Sequence, residues 1–156
     1  MNRQRGYAYL YVLFLIAMAS IGVTAGATLQ FYETRRQEER ELLRIGREFR
    51  AALISYRMAG PERMFPRSLE ELLADQRAAP VRRHLRRNYV DPITRQQEWG
   101  FVTEGGQIVG IYSLSPRTPL KQAGFEIEES EFEHAQQYSD WKFLAVIAEK
   151  TPTQRR

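Results

Sequence analysis

Cysteine is absent from the 156 residues. That excludes disulfides, thiol nucleophiles and Cys-ligated metals. It leaves the compartment open, because an oxidising environment permits disulfides without requiring them. Histidine is scarce: only His84 and His134 occur, fifty residues apart and without the spacing of a helical metal site. Both read as surface or capping residues. Nothing else marks a nucleophile, an acid–base pair or a metal cluster, so neither a catalytic constellation nor a cofactor is expected. A strong excess of one charge is also missing. There are 23 Lys plus Arg against 19 Asp plus Glu, a net of +4. This balance permits a nucleic-acid partner without demanding one. The length suits one compact domain plus whatever the termini add, and no internal repeat is evident.

The most informative absence is local. Tyr7 to Tyr32 carry no charge. The apolar run begins directly after Met1-Asn2-Arg3-Gln4-Arg5-Gly6 and continues to about Leu29, long enough as a helix to cross a hydrocarbon core of roughly 30 Å. The strongly apolar residues favour insertion by about 0.3–0.6 kcal/mol each, so the run sums to roughly 4 kcal/mol, most of which one central charge would remove. Arg3, Arg5 and the amino terminus are positive on one flank. On the other flank Glu33, Arg35, Arg36, Glu38, Glu39, Arg40 and Glu41 nearly cancel. The positive-inside rule therefore keeps the N-terminus cytoplasmic and sends the rest across the membrane. Three explanations compete. Ala25-Gly26-Ala27 resembles a signal-peptide cleavage site, although the run exceeds a usual apolar core. A plain signal anchor is the second. The third is a short leader cut beside Gly6. Gly22 and Gly26, four apart with Ala19 and Ser20 nearby, would let another helix approach closely within the membrane.

No proline occurs before position 61, so the helix is expected to continue past the membrane. Leu42, Ile45, Phe49, Ala52, Leu53 and Tyr56 recur at spacings of three and four and make one apolar stripe, with Arg and Glu opposite. Gly60-Pro61 ends it. A membrane-anchored coiled coil would need that seam for three or four heptads, and it stops at Gly60. Ser68 then reads as an N-cap with Glu71 three residues on, a capping box for a helix burying Leu69, Leu72 and Leu73. Pro80 starts a short helix, Val81 to Asn88, and Tyr89-Val90-Asp91-Pro92 turns the chain. Trp99–Thr103 and Gln107–Leu114 read as strands around Glu104-Gly105-Gly106. A long loop leads to a third strand, Tyr138–Ile147. The polar tail 151–156 is expected to be disordered.

Arg5-Gly6-Tyr7 followed at once by a long apolar helix resembles the cleavage site of type IV pilin-like proteins. Phe65-Pro66-x-Ser68-Leu69-x-x-Leu72, Asp91-Pro92-x-Thr94, Glu98-Trp99-Gly100 and Ile111-Tyr112-Ser113-Leu114 are similar to landmarks of pseudopilins of the type II secretion kind. The resemblance implies an α+β pilin-like fold. A leader, 1–6, precedes a transmembrane helix, 7–31, and its amphipathic continuation, 32–60. A head, 61–150, packs short helices and a small antiparallel sheet on that helix. It implies cutting between Gly6 and Tyr7 by prepilin peptidase and N-methylation of Tyr7. It also implies a filament of pilin-like subunits lifted from inner-membrane lipid by an ATPase-driven platform, with the head periplasmic, supporting secretion across the outer membrane. Two departures stand out. Tyr11 occupies a position usually held by Glu, which fits a minor or divergent subunit. Arg95 stands where a Gly often follows the Asp-Pro turn, which suggests a looser turn.

Two charged segments remain. Arg82, Arg83, Arg86 and Arg87 would share one face of the expected helix, with Leu85 turned inward. That face suits acidic residues of a neighbouring subunit, for instance Glu126 to Glu133, or DNA phosphates or an envelope partner in a membrane-tethered binding module. No aromatic stacking platform lies beside it. Gly124 to Glu133 forms an acidic loop where the resembled family often binds calcium. Glu128, Glu131 and Asp140 are the candidate ligands, but the pattern lacks the Asp residues and turns that a six- to eight-oxygen site requires. No metal is expected there.

Overall fold

The computed structural model describes the backbone of residues 5–77 and 79–145, and the side chains of 7–18, 30–77 and 79–145. Residues 1–4 of the expected leader and the tail 151–156 lie outside the described residues. The chain divides into two compact units, Met1–Gln37 and Glu38–Arg156. Helix α1, Arg5–Ala59, is 55 residues long and contributes to both.

In the first unit, α1 is the sole described element. Thr34 Oγ1 donates back to the Gln30 carbonyl at 2.9 Å, a common use of a helical threonine hydroxyl. Among the described residues no helix is long and apolar enough to cross a membrane. The side chains of 19–29, within the uncharged run, are not among them.

The second unit is α+β. α1 ends at Ala59, directly before the Gly60-Pro61 pair, since proline lacks the N–H that the next turn would need. All six residues of the expected stripe are buried, Leu42, Phe49 and Leu53 completely. Phe49 meets Trp99 edge-to-face at 5.3 Å. Burying such a side chain is worth roughly 2–3 kcal/mol. A three-stranded antiparallel sheet follows: β1 (Gly100–Glu104), β2 (Gln107–Tyr112) and β3 (Phe143–Leu144), in the order β1-β2-β3. Gly105 and Gly106 join β1 to β2 with φ of 56° and 77°. A two-residue type I′ turn needs positive φ at both positions, which glycine adopts freely.

The sheet, the loop after it and α1 enclose an aromatic core. Phe132 stacks on Trp141 at 5.6 Å and meets Phe143 edge-on at 5.1 Å. The Phe143 ring lies directly against the α1 backbone. A Cβ added at Gly46 would fall 2.3 Å from it, so Gly46 makes this close approach possible.

Four local expectations are corrected. Helix α2 is one turn, Glu70–Leu73, capped by Leu69 with no side-chain cap hydrogen bond. The Ser68–Glu71 capping box does not form; Glu71 instead accepts the Tyr56 hydroxyl. Residues 81–88 are not helical. The N–H of Arg82 bonds the Asp75 carbonyl at 3.2 Å, and those of His84 and Leu85 bond the Leu72 carbonyl at 2.9 Å. The segment therefore returns along α2, since its amides are spent on that neighbour and not on carbonyls four residues back. The third strand shrinks to Phe143–Leu144 because Tyr138–Asp140 close into a 3-10 turn; residues 146 and 147 lie outside the described residues. The Asp-Pro turn is closed, not loose. Arg95 adopts φ 61°, its N–H bonds the Asp91 carbonyl at 2.7 Å, and the Asp91 N–H bonds Gln96 O at 2.8 Å.

Candidate functional site

Two surfaces of this molecule have chemistry to offer, one in each unit. In the first unit, the large apolar side chains from Tyr7 to Met18 are all exposed, from 45% at Leu13 to 76% at Tyr7. Soluble monomers rarely leave a contiguous apolar patch of more than a few hundred Å² uncovered. The expected processing pair, Gly6 and Tyr7, lies in the first turns of α1, and the Tyr7 side chain is open. Tyr11 is also exposed. Gly22 and Gly26 fall within α1, but their surroundings lie outside the described side chains.

In the second unit, the site is the outward face of α1 between two charged walls. One wall is the loop carrying Arg82, Arg83, Arg86 and Arg87, all exposed. Its anchors are Leu85, buried in the core, and His84, whose side chain is only 1% exposed. His84 is thus no surface histidine. Its Nδ1 is 2.8 Å from Ser55 Oγ and its Nε2 is 3.2 Å from Asp75 Oδ2. Arg77 grips the same carboxylate through Nε and Nη2 at 2.9 and 2.8 Å and lies over the Tyr56 ring. That guanidinium holds the Asp75 carboxyl well below the usual carboxylate range, against the opposing effect of burial. Tyr56 donates to Glu71; burial first, then this bond, pushes its phenol up to about 12.

The order Ser55, His84, Asp75 is that of a nucleophile relay. Ser55, however, stands inside α1, where backbone N–H groups are used by the helix and cannot form an oxyanion hole. The arrangement works as a clasp: it fixes the arginine loop to α1.

The other wall is the acidic segment. Ile127–Phe132 forms a 3-10 helix. Glu129 is 1% exposed and accepts Arg47 Nε and Nη2 at 2.7 and 2.8 Å. Hydrogen bonding to Glu129 raises the Arg47 guanidinium further, while burial lowers that of Arg50. Arg50 bonds the Leu144 carbonyl at 3.0 Å and the Glu128 carbonyl at 3.2 Å. Nearby, Glu39 is buried and accepts the N–H groups of Leu120 and Lys121 and the Tyr138 hydroxyl. Sequence reasoning missed both glutamates. Their partners lie about eighty residues away in the chain, and no local pattern announces them.

The candidate calcium ligands do not converge. No group of three His or acidic side chains among the described residues could hold a metal ion. Asp140 instead caps its own turn, accepting the N–H groups of Gln136 and Gln137 at 3.2 and 2.9 Å.

Arg44, Arg47, Arg77, Arg95 and Arg117 are ion-paired. Arg82, Arg83, Arg86 and Arg87 form no ion pair among the described residues; Arg87 lies over the Tyr89 ring at 4.9 Å. Between α1 and the arginine loop runs a groove of about 740 Å³ lined by Arg44, Glu48, Ala51, Ser55, Leu85, Arg86 and Arg87, among others. A second groove of about 490 Å³ shares Arg44, Glu48 and Ala51 with it. The arrangement can bind an acidic surface with a small apolar tip. Comparison of the chain with family models, with curated proteins and with solved structures finds no match.

Proposed function

We propose that this chain is a structural subunit of a pilin-like filament, anchored in a bacterial inner membrane and cut between Gly6 and Tyr7. The observation that carries the reading is the uncharged helical stretch whose apolar side chains stand exposed from Tyr7 to Met18. Such a surface demands lipid or sister helices around it. A filament uses both: lipid holds the subunit before assembly, and neighbouring helices replace lipid afterwards. The α+β head supplies lateral contacts and no catalysis. Tyr11, exposed and uncharged, cannot make the ion pair that the usual Glu would, which suits a minor subunit.

N-terminal sequencing of the membrane-extracted protein tests this. The mature chain begins at Tyr7, N-methylated, and Gly6→Ala abolishes the cut. An intact Met1 supports a plain anchor instead, and a start at Thr28 supports a secreted product.

A second reading is a membrane-tethered module that binds a polyanion, favoured by the four exposed arginines clustered in the 82–87 loop. It requires DNA affinity that falls steeply with salt and vanishes when the four arginines are replaced.

A further inference from the structure

The head carries a knob and a socket. Ile127 is the knob. It is 91% exposed, the most exposed large hydrophobic residue described, and it begins the acidic 3-10 helix with Glu126 before it and Glu128 after it. Glu128, Glu131 and Glu133 are exposed and form no ion pair among the described residues. The socket is the groove beside Ser55. Ala51, Ala52 and Leu85 give it apolar ground, and Arg86 and Arg87 line its edge; Glu48 in the same groove is held by Arg44.

The two lie on different flanks of α1. Residues advance about 100° each around a helix. Arg50, which touches the acidic segment through Glu128 O, is therefore about 140° from Ser55, which touches the arginine loop through His84. A second head can bring its knob to the first head's socket. Complementary patches on different faces make a head-to-tail contact, which repeats without closing unless its rotation forms a ring. A desolvated apolar anchor within a rim of opposite charges is also the pattern that carries most interface energy.

We propose that the groove lined by Ala51, Leu85, Arg86 and Arg87 is the docking site for the Ile127-centred acidic segment of a second copy of this chain. The proposal rests on the filament reading and names the head contact within it.

The absence of cysteine makes the test clean. In full-length, membrane-expressed protein, Ile127→Cys and Ala51→Cys are introduced singly and together, then oxidised. The double variant yields a ladder of disulfide-linked oligomers, and mixing the two single variants yields dimers. Ile127→Asp, in a double-cysteine chain whose groove cysteine is kept and whose second cysteine replaces Glu128, lowers cross-linking at least tenfold. Arg86→Glu with Arg87→Glu does the same. Circular dichroism of each variant matches the parent, since all these side chains are exposed. No ladder from a chain that starts at Tyr7 and forms filaments overturns the contact and leaves the filament reading intact. A ladder from a chain with an uncut terminus keeps the contact and removes the filament reading. Cross-linking of Ile127→Cys to itself alone, or DNA capture by the arginine loop in place of a ladder, also overturns it.

Discussion

One helix meets two different demands. From Tyr7 to Met18 its large apolar side chains stand exposed, whereas from Leu42 to Tyr56 all but Ile54 are buried. Composition explains the contrast. In the first stretch apolar residues fill every face, so no orientation against a small domain could bury them all. In the second, Arg and Glu occupy the opposite face, and the head covers only the stripe. An all-round apolar helix specifies a solvent, while an amphipathic one specifies a partner surface.

Substitutions that should affect only one stretch put this contrast to the test. Phe49→Ala should have the largest effect, costing the head about 3–5 kcal/mol, because a buried ring leaves a cavity. Thermal unfolding of the head would show it, with membrane retention unchanged. Equal loss of retention would mean that the two stretches are not independent. Ile16→Arg is the mirror experiment. Under the proposed membrane anchoring it should cost insertion about 3 kcal/mol and shift the protein toward the soluble fraction, with the head melting at its usual temperature. Gly46→Ala is subtler. Exchanging a helical glycine for alanine ordinarily gains up to about 1 kcal/mol. Here the methyl meets the Phe143 ring, and the overpacking should reverse the sign to a net loss of about 1–2 kcal/mol. Adding Phe143→Leu should recover part of it in denaturant titrations.

The polar clasp supplies a pH test. The Asp75 carboxyl is depressed in the folded head, so its contribution is present above the unfolded value, near 3.9, and is lost as pH falls through the lower folded value. Stability measured from pH 5 to pH 2 should fall less steeply in Asp75→Asn. Tyr56 behaves in the opposite sense: its raised phenol stabilises fully below about pH 10 and loses that contribution as pH rises through about 12. The smallest effect belongs to Arg95→Gly. It removes a left-handed non-glycine residue costing about 1 kcal/mol and an exposed ion pair to Glu38 worth little. The melting temperature should rise by a few degrees.

Much of the head was legible because its signals are local. The 3.6-residue stripe, the stop at Gly60-Pro61 and the paired glycines of the hairpin each follow from neighbours in sequence. The separate landmarks also meet. Ser113 Oγ donates to Asp91 Oδ2 at 2.6 Å, Trp99 Nε1 to Tyr89 O at 2.9 Å, and Ile108 N to Pro66 O at 2.7 Å. The 82–87 segment was misread because its arginine spacing imitates a helix face. What decides it is the Leu72 carbonyl and the Asp75 backbone, and no periodicity reports those. His84 was misjudged for the same reason, its partners being Ser55 and Asp75. The socket required tertiary structure to exist at all, since α1 and the arginine loop each supply half of it.

The two-point grip of Arg47 on buried Glu129 has a mechanical consequence. Ile127 sits two residues away on the same short helix, so it projects from a base already immobilised. An approaching neighbour finds little conformational freedom left to remove. The entropy of ordering, which weakens many loop-mediated contacts, has largely been settled when the head folds. The proposed contact, modest in area, could then hold, and it could be tuned by the two guanidiniums beneath it, those of Arg47 and Arg50.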